Sequence, residues 1–226
     1  MSFTADFVWG AATSAYQIEG AWNEDGRGPS IWDICCHEGG HVYESHTGDV
    51  ACDHYHRFRE DVALMREIGL KAYRFSLSCS RLLPEGTGKV NEAGVRFYSG
   101  LIDALLEHGI EPYITLFLWD LPYALYQRGG WMNPESVEWF GAYARLVAER
   151  FSDRVSRFFT LNEPQCFVGL GFLNGAHAPW LRCPLRDTFA MAHNVLKAQG
   201  QAVRMLRQYG KQPLEIGYAP TCSAAY

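Results

Sequence analysis

Apolar and polar positions along this chain follow two rhythms that alternate. In "HYHRFREDVALMREIG", residues 54–69, a spacing of three and four puts Phe58, Val62, Met65 and Ile68 on one helical face, and Gly69 supplies a stop. The stretch "LKAYRFSLS" then reads as a strand. "NEAGVRFYSGLIDALLEHG" opens on Asn91, a residue suited to cap a helix, presents Val95, Tyr98, Ile102 and Leu105 on one face, and ends at Gly109. "IEPYITLFLW" predicts the next strand. The same phrase returns from Asn133: Pro134 in the first helical turn, then Val137, Phe140, Ala144 and Val147, then the strand "VSRFFTL". A last helix is predicted over 187–209, stopped by Gly210 and followed by "LEIGYAP". With "FVWGAAT" near the start, about five strands separated by helices are expected.

Strand–helix–strand alternation at this spacing implies parallel strands joined by right-handed crossovers, either in a (β/α)8 barrel or in a doubly wound sheet. No glycine-rich phosphate loop opens any of the helices, which weighs against the nucleotide-binding sheet. The segments after the strands are long, aromatic and polar, as at the active face of a barrel. A complete barrel takes about 250 residues. The chain has 226, with about five strands among them. The expected fold is therefore α/β, a truncated TIM barrel of about four βα units plus a fifth strand, in a single domain over 1–226.

Composition narrows the chemistry. A content of 48% hydrophobic and 20% charged residues is that of an ordinary globular domain. A net charge of −5 gives no electrostatic grip on nucleic acid or an anionic membrane. Seven cysteines, an odd number without metal-like spacing, predict reduced thiols, no metal and a cytoplasmic setting. The start of the chain lacks a basic region followed by a long apolar one, so no signal peptide or membrane span is expected. Aromatic residues reach 14%, enough for a densely packed core or for a site that stacks on sugar rings.

The chemistry-bearing stretch is "FFTLNEPQC", residues 158–166, where a largely apolar strand runs into an amide, a carboxylate and a proline. Glu163 should emerge where the strand ends. Pro164 should hold it in extended backbone, since the residue before a proline avoids helical angles. "TLNEP" resembles the acid/base motif of the family 1 glycoside hydrolases. "FVWGAATSAYQIEGAWNEDGRGPSIWD", "YRFSLSCSRLLPEGTGKVNEAGVRFY", "ITLFLWDLP", "GGWMNP", "FSDRV" and "GAHAPW" follow the family's order.

The resemblance implies a (β/α)8 barrel and a retaining double displacement that needs no cofactor: one carboxyl attacks the anomeric carbon while the other protonates the leaving oxygen and then activates water. It makes Glu163 the acid/base and Asn162 the contact to the sugar 2-hydroxyl. Gln17 becomes a grip on distal hydroxyls, Arg74 a neighbour of the nucleophile, and Trp119 a site tryptophan. Read from the residues alone, Gln17 is equally a turn amide, Arg74 a partner for Asp120 or Glu19, and Trp119 a core residue.

This chain departs from the family pattern at several points. Leu118 stands for the histidine of "HWDLP", Cys79 for the tryptophan of "SWSR", Phe158 for that of "WxTxNEP", and Trp180 for the glycine of "APG". No "TENG"-like nucleophile string is present, and Glu19, Asp53 and Asp120 are the only acids in matching early motifs. By family placement none of these lies about 5–5.5 Å from Glu163, the separation of a retaining pair. Two readings follow. One is a β-glucosidase-like half acting on β-glycosides, weak or inactive unless self-association or a partner chain completes it. The other is a non-catalytic sugar-binding or self-assembling derivative. An open half-barrel exposes strand edges and apolar faces, so a homo-oligomer is expected, with a β-glycoside or small sugar as ligand and neither nucleic acid nor membrane as partner.

Overall fold

The computed structural model describes residues 3, 4 and 6–222. Five strands, β1 (Gly10–Ala12), β2 (Ala72–Ser76), β3 (Glu111–Phe117), β4 (Arg157–Asn162) and β5 (Glu215–Ala219), form one parallel sheet in the order β1-β2-β3-β4-β5. Sequential order with every pair parallel is the topology of a barrel wall, whereas a doubly wound sheet reverses its order partway. The fold is a partial (β/α)8 barrel, as expected. The helices are α1 (Ala15–Ile18), α2 (Ile31–Glu38), α3 (His54–Glu67), α4 (Cys79–Leu82), α5 (Glu92–Glu107), α6 (Tyr123–Gln127), α7 (Ser136–Phe151), α8 (Pro164–Val168) and α9 (Leu185–Tyr209). Among the described residues no helix is long and apolar enough to cross a membrane.

Each long helix follows from its local sequence. The Asn91 side chain accepts a hydrogen bond from the Ala93 N–H at 3.2 Å and so caps α5. Val95, Tyr98, Ile102 and Leu105 are all buried, as their spacing predicts. Glycine inside a helix costs about 1 kcal/mol against alanine, yet Gly94 lies in the first turns of α5. A Cβ there would come within 2.2 Å of the Arg81 carbonyl oxygen, so only glycine lets α5 sit this close to α4. Pro134 falls just before α7 rather than in its first turn. The Asn133 side chain accepts from the Glu135 N–H at 3.0 Å and shapes a turn there before the helix proper begins. Helix α9 starts at Leu185, two residues earlier than the sequence suggests.

One face of the sheet is the core. Tyr73, Phe75, Ile114, Leu116 and Phe158 join Tyr98, Ile102, Tyr143, Val147 and Phe151 of α5 and α7 in one buried cluster. The other face carries Arg74, Tyr113, Thr115, Arg157 and Phe159, which touch one another by hydrogen bonding, ring stacking and cation–π contact. This is the inner wall of the barrel.

The expected burial fails in one place. Ile68 is 65% exposed, although it follows the apolar face of α3. The long helix packed most closely against α3 is α5, and Phe58, Val62 and Met65 face the core there. At the far side Leu185, Phe189 and Leu196 of α9 are likewise exposed, Phe189 at 67%.

Candidate active site

The loops that follow the strand C-termini build one end of the sheet. The segment from β1 to α3 spans residues 13–53 and is shaped from within. Ser30 and Asp33 form a reciprocal capping box at the start of α2, and Arg27 donates to Asp33 at 2.9 Å. Glu19 is buried and accepts from Arg81 Nε at 2.9 Å and from the Tyr98 hydroxyl at 2.6 Å, while the Arg81 guanidinium lies 4.2 Å from the Tyr55 ring centroid. A buried charge is tolerable only when paired and hydrogen-bonded in this way. Glu19 is therefore a structural anchor between the first loop, α4 and α5.

Glu163 is half-buried at the end of β4 and is the residue preceding α8, with Pro164 in the first helical position. Its backbone is left-handed, φ 46° and ψ 60°, not extended as its place before proline suggests. The pairing of β4 with β5 shifts register between Phe159 and Asn162, and Asn162 pairs with Ala219. The Glu163 N–H then donates to the Ala219 carbonyl at 2.7 Å, which holds the residue in this turn. Tertiary pairing overrides the local preference.

Arg74 projects from β2 across the inner wall. Its Nε donates to Thr115 Oγ1 at 2.8 Å and its Nη2 to Asn162 Oδ1 at 2.7 Å, with the guanidinium 4.5 Å from the Phe159 ring centroid. Burial pulls the guanidinium below its ordinary pKa, and the nearby Glu163 charge acts in the opposite sense. Among the described residues no carboxylate forms an ion pair with Arg74. It neutralises neither Asp120 nor Glu19. Because Arg74 can only donate, it fixes the orientation of the Asn162 amide: Oδ1 faces the arginine and the Nδ2 donors face away.

The sequence-predicted residues thus fall into two groups. Asn162 and Arg74 are hydrogen-bonded to each other, and Glu163 lies close enough for its charge to act on Arg74. Gln17 and Trp119 make no hydrogen bond to these three among the described residues. Gln17 is exposed on α1, beside an open cavity of about 290 Å³ that Tyr16, Trp32 and Gly48 also line. Trp119 is half-buried with a left-handed backbone, φ 69°; its Nε1 donates to the Ala178 carbonyl at 2.8 Å and its ring stacks on His177 at 5.4 Å. Thr115 and Phe159, which hold Arg74, were not singled out in the sequence. The usable signal was strand register: Arg74 pairs with Tyr113, and Thr115 and Phe159 fall on the same face by alternation.

The other early acids are committed elsewhere. Asp53 bonds His56 at the surface at 2.5 Å. Asp120 is 1% exposed, neither of its carboxylate oxygens has a partner among the described residues, and burial drives its pKa well above the ordinary range. Leu118 is half-buried and brings no polar atom to the mouth. Cys79 faces a small apolar cavity, about 20 Å³, between α6 and α7. No group of three or more His, Cys, Asp or Glu gathers as metal ligands do among the described residues.

Comparison with known proteins bears on this arrangement. The chain is 48% identical over 226 residues to β-glucosidase A of Acetivibrio thermocellus, covering all of this chain and 50% of that one. It is 46% identical over 223 residues to an aryl-phospho-β-D-glucosidase of Bacillus subtilis, covering 97% of this chain and 46% of the relative. The β-glucosidase of Thermotoga maritima, solved with castanospermine, superposes with a TM-score of 0.92 at 48% identity, over 96% of this chain and 49% of that one. The chain spans about half the length of the relatives it matches. The profile of glycosyl hydrolase family 1 matches residues 1–226, and the chain belongs to that family.

Proposed function

We propose that this chain is the acid/base half of a retaining β-glucosidase barrel, and that strands outside these 226 residues supply the second carboxylate. The observation that carries this reading is Arg74, a half-buried cation with two neutral hydrogen-bond acceptors and no ion-pair partner among the described residues. A carboxylate beside Arg74 would be held ionised, as a nucleophile must be, and would face Glu163 across the mouth. Glu163 would then protonate the leaving oxygen and, in the second step, deprotonate water. The Nδ2 donors of Asn162, turned away from Arg74, are free to meet a sugar hydroxyl. Gln17, exposed beside its cavity, supplies a further amide for distal hydroxyls, and Trp119 a flat wall. The kinship to glucosidases supports a β-glucoside as the substrate class.

A second reading draws on Leu118 and on the exposed residues of α3 and α9: another copy of the chain covers the open face, and the assembly binds sugar without turning it over.

Hydrolysis of 4-nitrophenyl β-D-glucoside separates the two. The chain is assayed alone and mixed with a separately expressed segment carrying the remaining strands of the Thermotoga maritima relative, with light scattering for mass. Turnover is expected only in the mixture, and Glu163→Gln should lower it by about 10²–10⁴-fold, the usual worth of a positioned acid/base. Mixture activity indifferent to Glu163→Gln would sink the assignment. A stable homodimer that binds glucoside without hydrolysis would favour the second reading.

A further inference from the structure

A cavity of about 20 Å³ lies inside the chain where α4, α6 and α7 meet, against the segment that follows β3. Cys79, Phe117, Leu125, Trp131, Ser136 and Tyr143 are in its wall, and every residue that lines it is buried. The wall is apolar except at a few atoms. Two of these, Trp131 Nε1 and Ser136 Oγ, are shut off from solvent and have no hydrogen-bond partner among the described residues. The Cys79 thiol is a third; burial pushes its pKa well above the ordinary value, so it stays protonated. The Tyr143 hydroxyl is already engaged, donating to the Leu116 carbonyl at 3.1 Å, but its oxygen can still accept.

Each orphaned atom is costly, since folding strips it of water and gives nothing back. Native interiors pair the large majority of such atoms with protein groups or with ordered water. Among the described residues no protein group reaches these two, and they share one space. Its size selects the guest. One water needs about 10–15 Å³ and two to four polar neighbours, whereas the apolar cavity that takes up benzene measures about 150 Å³. A void with a wholly apolar wall stays dry; this wall carries an indole N–H, a hydroxyl and a thiol. The site also belongs to this sequence in particular. Cys79 stands where the family pattern has a tryptophan, and an indole pointing the same way would overfill so small a space.

We propose that this cavity is an internal hydration site, in which one ordered water accepts from Trp131 Nε1 and donates to Ser136 Oγ, with the Cys79 sulfur and the Tyr143 oxygen as its remaining polar neighbours. The water ties the turn at Gly130–Met132 to the first turn of α7. Its reach extends further through the indole it holds. Trp131 meets Phe117 of β3 edge-on at 5.2 Å and stacks on Phe167 of α8 at 6.1 Å, so the end of one strand and the helix after Glu163 both rest on a ring that the water fixes.

Magnetisation transfer from water to the isotope-labelled chain tests this. The Trp131 indole N–H should show a nuclear Overhauser cross-peak at the water frequency, with the sign of a long-lived bound water. Cys79→Val adds a methyl group to the wall without touching Ser136 or Trp131. It should abolish that cross-peak while the indole signal itself remains; a signal relayed by the Ser136 hydroxyl would survive the change. Melting temperatures of Trp131→Phe, Ser136→Ala and the double variant give a second reading. Both single changes act on the same water, so the double loss should differ from their sum by at least about 2 °C. Should a variant not fold, the cross-peak in the unaltered chain decides. No water cross-peak at that N–H, one that Cys79→Val leaves unchanged, or melting losses that simply add overturns the proposal.

Discussion

The middle of the sheet and its two margins end in different states. In β2 and β3 the core-facing residues, such as Tyr73, Phe75, Ile114 and Leu116, are at most 2% exposed, and α5 and α7 cover them. All three residues of β1 are exposed, as are three of the five in β5, and α3 and α9 turn Leu64, Ile68, Phe189 and Leu196 to solvent. Leu64, Ile68, Phe189 and Leu196 are nevertheless as apolar as the leucines and phenylalanines buried in the middle. What differs is whether a neighbouring element lies on the far side among the described residues.

The sharpest way to break this contrast is at the buried ion pair of the interior. Arg81→Met leaves Glu19 as an uncompensated buried charge and is expected to cost about 3–5 kcal/mol, read from urea unfolding. A cost below 1 kcal/mol would mean that the pair contributes nothing beyond packing. Next in size is a truncation in the centre. Leu105→Ala, at a fully buried position, should lose about 2–5 kcal/mol.

Alkaline titration should fall mainly on the interior. Burial, with the Glu19 charge adding to it, holds the Tyr98 hydroxyl well above its ordinary pKa, and burial does the same for Tyr143. Tyr55, nearer the surface, is pushed up to about 12 by burial and its bond to Asp25. For these groups the folded state keeps protons that the unfolded chain gives up. The stability they contribute is therefore complete below the unfolded tyrosine value of about 10 and is lost as pH rises through the folded values. The last part of the rise in absorbance at 295 nm should coincide with loss of the far-ultraviolet circular dichroism signal. Ionisation of all twelve tyrosines with the fold intact would contradict the burial of Tyr98 and Tyr143.

The smallest effect belongs to the margins. Ile68→Ala and Leu196→Ala should each change stability by no more than about 0.5 kcal/mol in the isolated chain, as exposed substitutions do. If the proposed completion is right, the same two changes should weaken association with the complementary segment. Absence of that loss would separate the apolar margins from barrel assembly.

Much of the fold was legible because two independent signals agreed. Helix α5 announced itself by a cap at Asn91 and by the spacing of Val95, Tyr98, Ile102 and Leu105, and both are realised. The apolar face of α3 was read from spacing alone, which says that a face is apolar and not that anything covers it; Ile68 shows the difference. Glu163 and Asn162 were placed at a strand end by the apolar run before them. The left-handed turn at Glu163 depends on a bond to Ala219, 56 positions away and on another strand, and no local preference encodes it. Thr115 was invisible for a related reason: a threonine in a strand reads as a strand former until the register puts it on the same face as Arg74, within reach of its guanidinium. The cavity that Cys79, Trp131 and Ser136 share joins separate elements, and only the tertiary structure shows it.

Gly94 carries a consequence for descent. With the Arg81 carbonyl 2.2 Å from any added Cβ, a substitution there would have to part α4 from α5 and loosen the Glu19–Arg81–Tyr98 contacts beside them. Positions at the mouth, such as Leu118 and Trp180, can change and still leave a folded chain on which selection can act. Gly94 offers no such intermediate. A lineage of this barrel can wander in what it binds while this glycine stays fixed, and among its descendants the oldest legible mark would be a missing methyl group rather than a catalytic side chain.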